Sequence, residues 1–172
     1  SLAGCVPDDI EQAWEAIKVA DRSRIHVFTS TSDIHMEHML RKTKEEVLKD
    51  ARESVKYAKK LCDDVEFSAQ DATRTDKDFL IEILKVAVEE GATTINVPDT
   101  VGYATPSDYL ELLKGVYDDV KGKNEDIIIS THCHNDLGLA VANSLTAITA
   151  GARQIEGAIN GIGERAGNTS TE

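Results

Sequence analysis

The sequence predicts an α/β fold of repeating βα units: a (β/α)8 TIM barrel of which about the last five units are present. Three observations carry that reading. Strand-like and helix-like patterns alternate along all 172 residues. The strand segments are short, largely apolar runs, as in a parallel sheet covered by helices. Charged and polar residues gather just after each strand, in "TSTSD", "SAQDATRTD", "PDTVGYATP", "THCHND" and "NGIGERAGN", while the segments before the strands are blander. Ligands of such folds sit at the carboxyl ends of the strands, so the asymmetry also predicts which end binds.

The elements follow in order. "SLAG" reads as the tail of an element already under way. Residues 8–20 read as a helix, with Ile10, Ala13, Trp14, Ile17 and Ala20 at helical spacing behind an acidic first turn. Residues 24–30, "RIHVFTS", are a strand. Residues 43–62 are a long helix opened by a Thr43–Glu46 capping box. Its apolar stripe is Val47, Leu48, Ala51, Val55, Ala58 and Leu61. A strand at 64–69 leads to a helix at 75–91, which Gly91 ends. A strand at 93–99 leads to a helix at 105–120 with Pro106 in its first turn. A strand at 126–133, a helix at 138–151 and a strand at 154–160 complete the series.

Composition narrows the function. A formal charge of −12 argues against nucleic acid and against adhesion to anionic membranes. The apolar stretches are strand-sized, so no membrane-spanning helix is expected. Cys5, Cys62 and Cys133 are too few and too scattered for a disulfide framework, which points to a reducing compartment, the cytoplasm. No GxGxxG follows a first strand, and "NGIGERAGN" lacks the Lys-Ser/Thr of a phosphate loop.

The densest chemistry is "STHCHNDLG". Residues two apart on a strand face the same side, so His132 and His134 point together and Cys133 points into the helix layer. Two imidazoles at a strand end make half of a divalent-metal site, and asparagine or carboxylate oxygens from Asn135, Asp136 or the "ERAGN" segment could complete it. The alternative is that both histidines only hydrogen-bond within a polar strand end. His35 and His38 share a helical face, but a solvated loop-to-helix segment explains them as well.

Two longer segments extend this reading. "HCHNDLGLAVANSL" and "EGAINGIGERAGN" resemble the paired signatures of the 2-isopropylmalate synthase/homocitrate synthase family of TIM-barrel, metal-dependent acyl-CoA condensing enzymes; "RIHVFTSTSDIH" and "NVPDTVGYATP" agree. The resemblance implies His132, His134 and Asn168 as ligands of Mg²⁺, Mn²⁺ or Zn²⁺. It implies His26, Ser68, Asn96, Pro98 and Thr100 around a 2-oxoacid, with the Thr100 hydroxyl on the carboxylate; Thr100 as a helix cap is the alternative. It implies that Gly161 and Gly163 let backbone approach a bound acyl-CoA, and that Glu164 and Arg165 close the site. The implied reaction condenses acetyl-CoA with 3-methyl-2-oxobutanoate for leucine synthesis, in a homodimer. A related synthase or lyase with another 2-oxoacid, or a non-catalytic metabolite-binding βα domain, remain as alternatives.

Residues 1–172 are then expected to be a partial catalytic barrel, without the first strands and the C-terminal regulatory regions. The family's Asp ligand and ketone-polarising Arg belong to a segment before Ser1. Gln70 stands where the family usually has Glu, and an amide cannot take a proton at neutral pH, so no catalytic base is assigned.

Overall fold

The computed structural model describes residues 1–122 and 124–172. Six parallel strands lie side by side in chain order: β1 (Leu2–Gly4), β2 (Ile25–Ser30), β3 (Val65–Gln70), β4 (Thr94–Asp99), β5 (Ile128–Cys133) and β6 (Gln154–Glu156). Helices α1 (Pro7–Ile17), α2 (Asp33–His35), α3 (Lys44–Leu61), α4 (Lys77–Glu89), α5 (Pro106–Val116) and α6 (Ala140–Thr149) form the crossovers. The "SLAG" tail is thus a sixth strand, paired with β2 through Leu2↔His26. Three residues are too few to show a period, which is why the sequence pattern alone reads five.

The alternating pleat sorts each strand into two faces. Odd-numbered residues of the central strands pack under the helices: Val27, Phe67, Ile95, Val97 and Ile129 are buried with Leu80, Ile83, Leu84, Tyr109 and Leu113. Each large side chain removed from water there contributes about 1.5–3 kcal/mol. Even-numbered residues face the other way and are largely polar, among them His26, Glu66, Ser68, Asn96, Ser130, His132, Gln154 and Glu156.

The sheet is strongly curled. Arg24, just before β2, donates to Gln154 of β6 at 2.6 Å. On a flat sheet β2 and β6 would stand about 19 Å apart, four strand spacings. The even face is therefore the inside of a partial (β/α)8 barrel, and β1 and β6 are its open edges.

Several local expectations hold. Thr43 and Glu46 form the reciprocal capping box of α3. Pro106 opens α5 behind the N-cap Thr105, whose side chain accepts from Asp108 N. Gly91 sits at φ +107 after α4, a left-handed stop that glycine takes without strain. Others shift. The helix read over 105–120 passes at Tyr117–Lys121 into a π turn, where the Lys121 ammonium turns inward onto the carbonyls of Asn124 and Ile127 at 2.9 and 2.6 Å. His35 and His38 fall on α2 and the π turn that follows it, Met36–Leu40. They part there: His35 Nδ1 lies 3.4 Å from buried Asp71, while His38 is exposed beside Glu37.

Candidate active site

A cleft of about 390 Å³ opens at the carboxyl end of the strands. The residues that the family resemblance implies for substrate and metal line it, together with Gln70: His26 from β2, Ser68 and Gln70 from β3, Asn96 and Pro98 from β4, Thr100 just beyond β4, His132 from β5, His134 just beyond it, and Asn168. The even-residue side of each strand accounts for the convergence, because the pleat sends that side into the barrel and register aligns it. Pro98 pairs with His132, and Ser68 pairs with Asn96.

His132 and His134 bring their Nε2 atoms to 3.1 Å, with the ring planes at 74°. The chain holds Asn168 beside them by local pairing. Asn168 forms an antiparallel bridge with His134, Asn135 N donates to Gly167 O at 2.9 Å, and Thr169 N donates to Cys133 O at 3.1 Å. The loop around Asn168 has little spare room. A Cβ on Gly163 would stand 2.5 Å from Asn168 Oδ1, and one on Gly167 would stand 2.2 Å from Gly161 O. Gly161 and Gly163 therefore pack against the Asn168 segment.

Three atoms at this corner are buried without a hydrogen-bond partner: Nδ1 of His132, Nδ1 of His134 and Oδ1 of Asn168. The two Nε2 atoms, brought together in the cleft, and the unpaired Asn168 Oδ1 suit a cation that accepts nitrogen and oxygen donors, while His132 Nδ1 faces Glu156. Burial, then the neighbouring His132 and Arg165, hold His134 below the ordinary histidine range, which favours the unprotonated ring a metal requires. Cys133, its thiol pushed up by burial, faces Thr131 and the helix layer.

Asn135 and Asp136 do not join the cluster, contrary to what their position beside the histidines suggests. Asn135 Oδ1 accepts from Ala140 N at 3.2 Å and serves the start of α6. Asp136 is held by Arg165, whose guanidinium keeps its carboxyl below the usual range. Arg165 also donates to the Thr100 carbonyl at 2.7 Å, so it ties together the loops after β4, β5 and β6. Glu164 stands at the rim, 3.4 Å from Arg165.

The remaining polar residues form a directed network. Asn96 Nδ2 donates to Ser68 Oγ at 2.8 Å, and Ser68 Oγ lies 2.7 Å from His26 Nε2. Asn96 Oδ1 is buried and unpartnered. Thr100 is not a helix cap: its Oγ1 accepts from Asp71 N at 2.8 Å, which leaves the hydroxyl hydrogen free. Ser30 donates to Gln70 Oε1 at 2.6 Å and so turns the amide NH2 of Gln70 outward as a donor.

Sequence reasoning missed what lies beneath. Among the described residues, His26, Glu66 and Glu156 bring ligand-type atoms within 4.8 Å of one another. Glu156 Oε2 is 3.1 Å from His132 Nδ1. Glu66 is held by Gln154 Nε2 at 3.0 and 3.1 Å and by Arg24 at 2.9 Å. Burial and the adjacent Glu156 carboxyl push Glu66 up to about 7. Burial acts to raise Glu156 too, but bonds to His132 and Glu66 leave it below its ordinary value.

The HMGL-like family matches the chain over residues 1–172. The chain is 57% identical to a 2-isopropylmalate synthase of Clostridium kluyveri over 171 residues, which covers 99% of the chain and 33% of that protein. It is 58% identical to one of Gloeobacter violaceus, covering 100% of the chain and 32% of that protein, and 56% identical to one of Pyrococcus furiosus, covering 100% and 34%. The chain thus spans about a third of the length of these relatives. A hydroxymethylglutaryl-CoA lyase from Pseudomonas aeruginosa shares the fold with a TM-score of 0.81 at 17% identity, over 99% of this chain and 58% of that one. Match across the full chain and the common barrel agree on one conclusion: the chain belongs to the HMGL-like family.

Proposed function

We propose that the chain forms the metal and substrate pocket of a 2-isopropylmalate synthase, which condenses acetyl-CoA with 3-methyl-2-oxobutanoate. The observation that carries this reading is the convergence of the His132 and His134 Nε2 atoms with the bridged Asn168, whose Oδ1 is buried and unpartnered. The names of relatives at 56–58% identity support the choice of reaction. In that reaction the acetyl methyl loses a proton, its carbon bonds to the keto carbon of the oxoacid, and water cleaves the thioester to release CoA.

His132, His134 and Asn168 would hold a divalent cation, which when bound supplies Lewis-acid polarisation of the keto oxygen. The chain's other residues bind and orient. The free hydroxyl hydrogen of Thr100 donates to the oxoacid carboxylate. Leu2, Phe28 and Pro98 offer the apolar wall that a branched oxoacid needs. Asn96 Oδ1 and the Gln70 amide supply an acceptor and a donor across the cleft. No residue of the chain is assigned as the base.

The test is thermal melting with Mn²⁺ and with 3-methyl-2-oxobutanoate, followed by CoA release over a panel of 2-oxoacids. Binding at a concentration of 100 Kd adds about 2.7 kcal/mol to stability, so a rise in Tm that His132→Ala and His134→Ala abolish is expected. A Tm indifferent to both ligands overturns the reading.

A further inference from the structure

Glu156 is half-buried on the inner face of the barrel and is not used in the chemistry above. Its two oxygens address two imidazoles: Oε2 is 3.1 Å from His132 Nδ1, and Oε1 is 3.9 Å from His26 Nδ1. We propose that Glu156 is a positioning residue that sets the tautomers of His132 and His26, and through His132 prepares the metal centre. The metal part of this inference rests on the function proposed above; the tautomer part does not.

The argument begins with donor and acceptor inventory. A neutral imidazole has one N–H, and a carboxylate only accepts. Glu156 opposite Nδ1 therefore draws the proton of His132 to Nδ1 and leaves the Nε2 lone pair facing His134 and the cleft. With no acceptor at Nδ1 the proton is free to sit on Nε2, where it blocks a cation. The Nδ1–H of His132 is turned off the line to Oε2, and rotation about the soft ring torsion aligns it. Ligand histidines held by a carboxylate on their second nitrogen are a recurrent way to fix ring and tautomer.

The same carboxylate polarises a second chain. At 3.9 Å the Glu156 carboxylate acts on His26 through its charge and favours a proton on Nδ1; Nε2 is then an acceptor for the Ser68 hydroxyl at 2.7 Å, and Ser68 Oγ in turn accepts from Asn96 at 2.8 Å. The Asn96 amide is thereby oriented, with Oδ1 as the free acceptor. Glu156 cannot swing away toward the barrel floor, because Glu66 occupies that side, anchored by Arg24 and Gln154.

The test uses the full chain with Glu156→Ala and Glu156→Gln. Nitrogen-15 spectra of the histidine rings in metal-free protein report the tautomers, and Mn²⁺ affinity is read from the electron paramagnetic resonance of the free ion. His132 is expected as the Nδ1–H form in wild type and as a mixture containing Nε2–H in Glu156→Ala, with Mn²⁺ bound roughly 10–100-fold more weakly. Glutamine keeps the volume but offers one acceptor oxygen, so one of the two histidines keeps its tautomer and the other changes. The inference is overturned if folded Glu156→Ala, or Glu156→Gln should alanine fail to fold, leaves both ring spectra and Mn²⁺ affinity as in wild type. A wild type that takes up no Mn²⁺ sinks the proposed function instead, and the ring spectra then decide the tautomer part alone.

Discussion

Arg165 lays its guanidinium across the Asp136 carboxylate, Nε 2.8 Å from Oδ1 and Nη2 3.0 Å from Oδ2. This two-point contact joins the loop after β6 to the loop after β5, and a third bond from Nη2 to the Thr100 carbonyl adds the loop after β4. Both partners are partly exposed, so the pair adds little to global stability. Its effect is on the shape of the cleft. Arg165→Lys keeps the charge but loses the planar fork. Urea unfolding is expected to change little, while KM for the 2-oxoacid rises several-fold; an unchanged KM counts against the clamp.

Gly163 makes a sharper prediction. A methyl group there meets Asn168 Oδ1 at 2.5 Å and must displace the carboxamide. Gly163→Ala is expected to weaken Mn²⁺ binding by about tenfold or more, with a fall in stability of about 1–3 kcal/mol from overpacking. Isothermal titration and thermal melting separate the two effects. Retained affinity would show that the Asn168 carboxamide does not face the cation.

Thr100 has two tasks that substitutions separate. Its oxygen accepts from Asp71 N, and its hydrogen is free for substrate. Thr100→Val keeps the shape and removes both, leaving a backbone N–H without its partner at a cost of about 1–3 kcal/mol. KM for the 2-oxoacid is expected to rise at least about tenfold, the worth of a hydrogen bond to a charged group. Thr100→Ser is expected to restore both stability and KM, and a serine variant as poor as valine would refute the hydroxyl's role.

How much of this was legible depends on the range of the forces involved. His132 and His134 follow from the two-residue period of a strand, a local rule that the structure obeys. Asn135 and Asp136 misled because the chain leaves the strand at His134; past that point, capping and a distant arginine decide where side chains go. Residue reasoning reached the "ERAGN" segment, but only a resemblance singled out Asn168 within it, since its place depends on an antiparallel bridge across more than thirty residues. Glu156 gave no signal: a glutamate two residues into "QIEGAIN" looks like the end of an ordinary strand. Only the curl that brings β6 across to β2 sets it between two histidines.

The Glu66–Glu156 pair also leaves a pH signature. Glu66 is raised from the ordinary 4.5 to about 7, first by burial and then by its neighbour. Between those values the folded protein holds a proton that the unfolded chain has released, so stability falls as pH rises through that window and levels off above it. Glu156 is shifted the other way; its contribution is present above the ordinary carboxylate range and is lost on the acid side, as pH falls toward its folded value. The two effects therefore occupy different pH ranges. Glu66→Gln removes the first, and its amide NH2 keeps a donor for Glu156. At about pH 8 the variant is expected to be more stable than wild type by about 1–3 kcal/mol, and at about pH 5 nearly equal to it, as one pKa unit corresponds to about 1.4 kcal/mol. Urea unfolding across the range checks this directly. A wild-type curve parallel to that of Glu66→Gln would mean that Glu66 titrates in the folded protein as it does in the unfolded chain. The close approach of the two carboxyls would then carry no energetic weight.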